Sequence, residues 1–322
     1  MNAHVNALAG WPLPDPQTSA FALDALEGLT QPRKRLSPKY FYDATGSDLF
    51  EQITRLPEYY PTRTELGILH DRGREIAALI PDKAALVEFG AGATTKIRLL
   101  LEQSTFAAYV PVDISGEFLN GQAAKLRTDF PGLAVHPVVA DFTQSFELPA
   151  AVRDMPKVGF FPGSTLGNFE PGEASKFLKR AADILGHGAL LILGVDLEKD
   201  ESTLHDAYND AAGVTAKFNL NLLTRMNREL STNFDVSSFD HRAIYNHAEH
   251  RIEMHLHSRK AQKVRLCGRT IGFARGESIH TENSYKYSIP RLRKLARKSG
   301  WTLKKTWTDA QSMFSVHALR AD

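Results

Sequence analysis

The stretch ALVEFGAGATTKIRLLL, residues 85–101, runs from an apolar strand pattern through Gly90 and Gly92 into an apolar helix pattern. A turn of that kind lets backbone approach a ligand closely, and in a dinucleotide site it reads G-x-G-x-x-G. Here the third position is Thr95, followed by Lys96, so the glycine that leaves room for a pyrophosphate is missing. Asp113 lies about 20 residues beyond the turn, the spacing of an acid that grips ribose hydroxyls. Asp141-Phe142 closes another apolar run and offers a carboxylate for an adenine amino group beside an aromatic face for its ring. No histidine paired with an acid follows to serve hydride transfer. Ribose and adenine without a pyrophosphate describe S-adenosylmethionine (SAM) better than a nicotinamide dinucleotide.

Such residues need strands to carry them to one edge. AALVEF, AAYVPVD, LAVHPVVAD, KVGFFPG and ALLILGVD read as buried strands. Helical patterns separate or flank them at ELGILHDRGREIAALI, TTKIRLLLEQ, GEFLNGQAAKLRTDF and PGEASKFLKRAADILG. This alternation predicts a parallel sheet covered on both faces, with ligand lying across the carboxyl ends of its strands. After Asp196 the pattern changes: residues 201–230 read as helix and 241–286 alternate like strands. A helix at IPRLRKLARKSG and strands at WTLKKTWTD and FSVHALRA follow. The expected architecture is a doubly wound, Rossmann-like α/β domain over residues 61–196 and 287–322. Residues 1–60 and the insertion 197–286 are expected to form a second, smaller domain.

Bulk properties narrow the partners. A chain of 322 residues with 43% hydrophobic and 24% charged residues is ordinary for a soluble globular protein. A net charge of +2 is too small to imply nucleic acid or an anionic membrane. The one dense basic run, RLRKLARKSGWTLKK, carries Leu292, Leu295 and Ala296 as a stripe, so its charges read as a solvated helix face. The single cysteine, Cys267, suits a reducing compartment. MNAHVNALAGWPLPDP lacks the basic start of a signal peptide, and no later run is apolar enough to span a membrane. A cytoplasmic protein is expected.

Longer motifs say more. FYDATGSDLFEQITRLPEYYPTRTE (41–65), FFPGSTLGNF, AYNDAAGVTAKFN, RIEMHLHSR and TENSYKYS resemble the bacterial L-histidine Nα-methyltransferases of ergothioneine biosynthesis. The resemblance runs from about residue 25 to the end. It implies a class I SAM-dependent methyltransferase domain with a smaller substrate domain. The implied activity moves three methyl groups, one at a time, from SAM to the α-amine of L-histidine, giving the betaine hercynine, and uses no metal. By motif, Gly90, Lys96, Asp113, Asp141 and Phe142 match the family's SAM contacts. Tyr59, Asn168 and Tyr208 match residues that hold the substrate's amine and carboxylate. Glu282 and Ser284 match the imidazole-binding pair, with Met254 lining the pocket beside them.

The chemistry suits these residue types. Methyl transfer from a sulfonium needs a neutral amine, and each unit by which the amine's pKa exceeds ambient pH costs about 1.4 kcal/mol. A carboxylate against the amine would raise that pKa further. Asn168 and Tyr42 offer an amide and a phenol that orient the nitrogen without full charge, so positioning supplies most of the rate. Tyr42 is the candidate proton acceptor, although a phenol of pKa about 10 is a weak base. On an extended stretch Glu282 and Ser284 leave the same face. A neutral imidazole presents one donor and one acceptor, so a carboxylate and a hydroxyl can read both, and phenylalanine would leave the acid unpaired.

In RIEMHLH, Ile252, Met254 and Leu256 share one face, while His255 and His257 on the other are expected to be solvated rather than metal-binding. The expected partner is L-histidine, with no nucleic acid, membrane or metal, and the chain is expected to be a monomer. Two alternatives stand beside this reading: an Nα-methyltransferase of the same fold for another amino acid such as tryptophan, and a non-catalytic SAM-binding protein.

Overall fold

The strand and helix patterns reappear as elements in a computed structural model, which describes residues 19–322. In chain order these are α1 (Ala20–Leu29), β1 (Lys34–Arg35), α2 (Ala44–Ile53), α3 (Tyr60–Ala77), β2 (Ala85–Phe89), α4 (Thr95–Gln103), β3 (Ala108–Asp113) and α5 (Gly116–Asp129). Next come β4 (Ala134–Val135), β5 (Val138–Val139), β6 (Lys157–Phe161), α6 (Pro171–Leu185), β7 (Leu190–Asp196), α7 (Glu201–Tyr208) and α8 (Val214–Leu230). The chain closes with β8 (Phe239–Asn246), β9 (Arg251–Ser258), β10 (Gln262–Leu266), β11 (Arg269–Phe273), β12 (Ser278–Tyr285), α9 (Ile289–Lys298), β13 (Trp301–Thr308) and β14 (Phe314–Ala321). The stretch MNAHVNALAGWPLPDP lies outside the described residues. No described helix is long and apolar enough to cross a membrane.

One sheet of eight strands runs in the order β13-β14-β7-β6-β2-β3-β4, with β5 also paired to β3. Strands β7, β6, β2, β3, β4 and β5 are mutually parallel, whereas β14 lies antiparallel between β7 and β13. A parallel sheet finished by this antiparallel insertion is the class I methyltransferase fold. The central strands are apolar on both sides because both faces are covered. Val87, Phe89 and Phe161 pack on one face with Phe177 and Leu178 of α6, and Leu86 and Phe160 on the other with Ile68 of α3 and Ile97 of α4. Each such side chain contributes about 1.5–3 kcal/mol through burial.

Two local differences from the sequence reading have simple causes. LAVHPVVAD is not one strand: Pro137 has no N–H to donate, so β4 and β5 pair separately with β3. Helix α3 begins at Tyr60, because Pro61 occupies the first turn, where a missing N–H leaves nothing unsatisfied.

The chain divides into two units. The sheet unit comprises Tyr59–Asp200, His247–Arg251 and Ser284–Asp322. The other comprises Met1–Glu58, Glu201–Asn246 and Ile252–Asn283, and is built on a sheet of order β1-β12-β9-β8 with the separate hairpin β10–β11. In this second unit α2 and α8 face each other. Asp43 caps α2 by accepting the Gly46 N–H at 2.7 Å, and takes hydrogen bonds from Asn221 and Arg228 of α8 at 2.8 and 2.6 Å. Burial opposes ionisation of Asp43, yet the Arg228 guanidinium and these N–H donors hold its carboxyl below the usual range.

Candidate active site

At the end of β2 the chain turns on Gly90, whose φ of 74° is easy only for glycine. The N–H groups of Gly90 and Ala91 both donate to the Val112 carbonyl, at 2.9 and 3.0 Å, folding the turn onto β3. A Cβ at Gly90 would stand 3.2 Å from the Phe142 ring, so the turn and the ring are in direct apposition. Phe142 is itself seated against Phe161 and Phe177, with ring centroids 5.7 and 5.8 Å away. Asp113 ends β3, where burial pushes its carboxyl up while it accepts the Ser115 N–H at 2.8 Å. Asp141 follows β5, and its Oδ1 accepts the N–H and hydroxyl of Thr143 at 2.9 and 2.5 Å. Gly90, Asp113, Asp141 and Phe142 thus gather at three adjacent strand ends. That arrangement suits a ribose and an adenine: acids beside an aromatic ring, over a turn without bulk.

Beneath these tips lies a pair of acids that pattern reading missed. Glu65 on α3 is 1% exposed, accepts the Gly163 N–H at 2.9 Å, and holds Lys96 at 2.6 Å. Lys96 therefore has a protein carboxylate as its partner. Glu65 appears in the sequence only as one position of a helical pattern, and nothing local marks it as buried. Glu88 on β2 is also buried and accepts a short hydrogen bond from Tyr109 on β3. Burial, only partly offset by that hydroxyl, pushes the Glu88 carboxyl up to about 8 from 4.5.

The raised value has a sign that can be tested. Between pH 4.5 and 8 the folded chain keeps a proton on Glu88 that the unfolded chain releases. Its contribution to stability is full below 4.5 and is lost as pH rises to and through 8. In urea melts, wild-type stability should therefore fall from about pH 5 to about pH 8 more steeply than that of Glu88→Gln, by up to about 1.4 kcal/mol per unit from this group. Parallel profiles would show that Glu88 titrates normally.

A second buried network sits at the ends of β6 and β7. Asp196, 1% exposed, accepts from Tyr60 at 2.7 Å, from Lys199 at 2.7 Å and from Lys286 at 2.8 Å. Burial opposes its ionisation, but Lys286 and Lys199 hold the carboxyl below its usual range. The Asp196 N–H donates to the Ser164 hydroxyl at 2.9 Å. Ser164 opens the 3-10 turn Thr165–Asn168, which carries Asn168 at its last position. A Cβ on Gly167 would come 2.8 Å from the Tyr285 carbonyl, so the Asn168 turn lies tight against the end of β12. Ser284, in that same segment, accepts from Lys286 at 2.8 Å. Tyr59 is buried at the cap of α3, beside Tyr60. The turn that carries Asn168 is thus joined to Asp196 through Ser164, and Asp196 to Ser284 through Lys286, within the sheet unit.

The remaining candidates belong to the other unit. Tyr42 follows the 3-10 turn Pro38–Phe41 and stands edge-on to Phe50 and Phe218, at 5.6 and 5.8 Å. Tyr208 ends α7, and its carbonyl accepts a hydrogen bond from His241 Nε2 at 2.8 Å. Met254 is buried on β9, tied to β12 by the Thr281 hydroxyl on its carbonyl at 3.0 Å. Glu282 is half-buried on β12, and its carbonyl accepts from His280 Nε2 at 3.0 Å.

The solvated setting expected for His255 on β9 is not what the structure has, whereas His257 keeps partial exposure. His255 stacks on His280 at 4.7 Å and lies 3.2 Å from Glu253, because β12 and β9 are neighbours and cover one another's polar positions. Burial, with His280 alongside, pushes His255 down to about 4. Glu253, His255 and His280 bring three potential ligand atoms within 4.8 Å of one another. Their rings are nearly parallel, at 21°, so the in-plane lone pairs run side by side instead of converging as a metal requires.

Comparison with known proteins decides the family. The model of the SAM-dependent, histidine-specific methyltransferases matches residues 21–321, almost the whole chain. The chain belongs to that family. A histidine N-alpha-methyltransferase of Mycolicibacterium smegmatis is 41% identical over 317 residues, covering 96% of this chain and 98% of the relative. A histidine N-alpha-methyltransferase of Mycobacterium tuberculosis is 39% identical over 304 residues, covering 92% and 94%. A more distant relative, a 4-dimethylallyltryptophan N-methyltransferase of Claviceps purpurea, is 26% identical over 324 residues, covering 92% and 93%. A chain similar to this one is thus named for an indole amino acid as its substrate.

Proposed function

We infer that this protein transfers methyl groups from SAM to the α-amino group of L-histidine, in three successive rounds that end at hercynine. The observation that carries the reading is the near full-length match to a family named for histidine, joined to the motif TENSYK with its acid and hydroxyl on one strand. The Gly90 turn, Asp113, Asp141 and Phe142 suit SAM, which supplies an electrophilic methyl group. Asp113 takes the ribose hydroxyls, Asp141 the adenine amino group, and Phe142 the face of the adenine ring.

The protein's own work is placement. Tyr59, Asn168 and Tyr208 hold the amino acid's amine and carboxylate, and Glu282 and Ser284 hold its ring beside Met254. An amide and phenols around the nitrogen leave its pKa unraised, so the neutral, attacking form is more accessible than it would be against a carboxylate. Holding that nitrogen in line with the methyl carbon converts an encounter into an intramolecular step. Tyr42 is the proposed proton acceptor: after each of the first two transfers its phenol oxygen takes the ammonium proton as its own hydroxyl proton passes to water. The unit containing Tyr42, Tyr208, Met254 and Glu282 is the proposed substrate domain, and the protein is proposed to act as a cytoplasmic monomer without a metal.

Incubating the protein with methyl-labelled SAM and single amino acids separates the readings. Label should enter histidine and not tryptophan or phenylalanine. Transfer to tryptophan in preference to histidine would move the chain to the other substrate class, and SAM binding without transfer to any amino acid would make it a non-catalytic binder.

A further inference from the structure

Lys286 lies two residues beyond Ser284 and is 0% exposed. Its ammonium has two buried neighbours at the same distance: the Asp196 carboxylate at 2.8 Å and the Ser284 hydroxyl at 2.8 Å. An ammonium has three donors and no acceptor, so the direction of the second bond is fixed: Lys286 donates and Ser284 accepts. A hydroxyl that accepts from such a donor directs its own hydrogen away from it. The ammonium is itself immobilised, because Asp196 is pinned by Tyr60 and Lys199 and by its own N–H to Ser164. The backbone is fixed as well. The Lys286 N–H donates to the His250 carbonyl at 2.8 Å, and the Tyr287 N–H to the Asp196 carbonyl at 2.9 Å.

We propose that Lys286 is a positioning residue for substrate recognition: held by Asp196, it fixes Ser284 as a hydrogen-bond donor toward the acceptor nitrogen of the substrate's ring. The proposal rests on the reading above that Ser284 contacts that ring. It assigns the buried ion pair at the end of β7 a role in selecting the substrate, beyond joining two segments of chain. Glu282 then takes the ring's N–H, and the two contacts have opposite polarity by construction.

The test is a double-mutant cycle on Ser284→Ala and Lys286→Met, read as histidine dissociation constants by calorimetry and as KM and kcat. Binding of S-adenosylhomocysteine serves as the measure of an intact sheet unit. Lys286→Met should weaken histidine binding about tenfold, equivalent to 1.4 kcal/mol, by raising KM with kcat at saturating histidine nearly unchanged. The double variant should bind histidine no worse than Ser284→Ala alone, because both changes remove one interaction. Losses that multiply, or wild-type affinity in Lys286→Met, overturn the proposal. If Lys286→Met loses S-adenosylhomocysteine, the same cycle with Lys286→Gln decides: the amide keeps a donor, and wild-type coupling to Ser284 should largely return. A wild-type protein that binds S-adenosylhomocysteine but no histidine would instead overturn the substrate reading on which the proposal stands.

Discussion

Replacing Asp196 with alanine should lower the free energy of unfolding by about 3–5 kcal/mol, the range for stripping one partner from a buried ion pair. Asp196 sits between two buried ammonium groups, Lys199 and Lys286, and receives the Tyr60 hydroxyl. Alanine would remove from this dry site the carboxylate that both cations pair with and that accepts the Tyr60 hydroxyl. The penalty is the desolvation of those groups rather than the worth of the pair, so a hydrophobic replacement of all partners together would be milder. Urea denaturation should show a lower midpoint with an unchanged slope. The pH dependence has a definite sign. The Asp196 carboxyl is held below its ordinary value of 3.8, so its contribution is present above that value and is lost as pH falls through the lower folded one. A variant within about 0.5 kcal/mol of wild type would mean that the cluster is solvated or uncharged.

Glu282→Ala should weaken histidine binding by about 1.5–3 kcal/mol, the range for a hydrogen bond to a charged group, or roughly 10- to 150-fold. SAM affinity should not change, because the Gly90 turn, Asp113 and Phe142 are untouched. Discrimination should change more than affinity alone suggests. A carboxylate aimed at a ring N–H rejects a ring that lacks one, since the acid would be desolvated with no partner. Removing it should narrow the gap between histidine and an apolar aromatic amino acid. Calorimetry with histidine and phenylalanine on both proteins measures the two effects. Unchanged histidine affinity would take Glu282 out of the site.

What is legible in the sequence depends on local or periodic signals. The Gly90 turn, the acids closing each strand and the alternation of buried runs are written in consecutive residues, and the parallel core follows from them. What escaped depends on pairs far apart in the chain. Glu65 and Lys96 lie on different helices, and Asp196, Tyr60 and Lys286 come from three separate stretches. A single sequence gives no sign that such residues meet. The β9 histidines illustrate the same limit: alternation puts Ile252, Met254 and Leu256 on one face, which is buried, but it could not say that His280 of β12 stacks on His255. Pro137 and Pro61 are local signals of the two shifted boundaries: a residue without an N–H interrupts a strand within a sheet and is at home in the first turn of a helix. The antiparallel position of β14 is likewise a matter of connection, which pattern alone leaves open.

Mass spectrometry of histidine incubated with this protein and excess SAM tests the central claim most directly. Products heavier by one, two and three methyl groups are expected, with the trimethylated species accumulating at long times and every methyl on the α-nitrogen by fragmentation. Unmodified histidine, or methyl groups found on the imidazole, would contradict it.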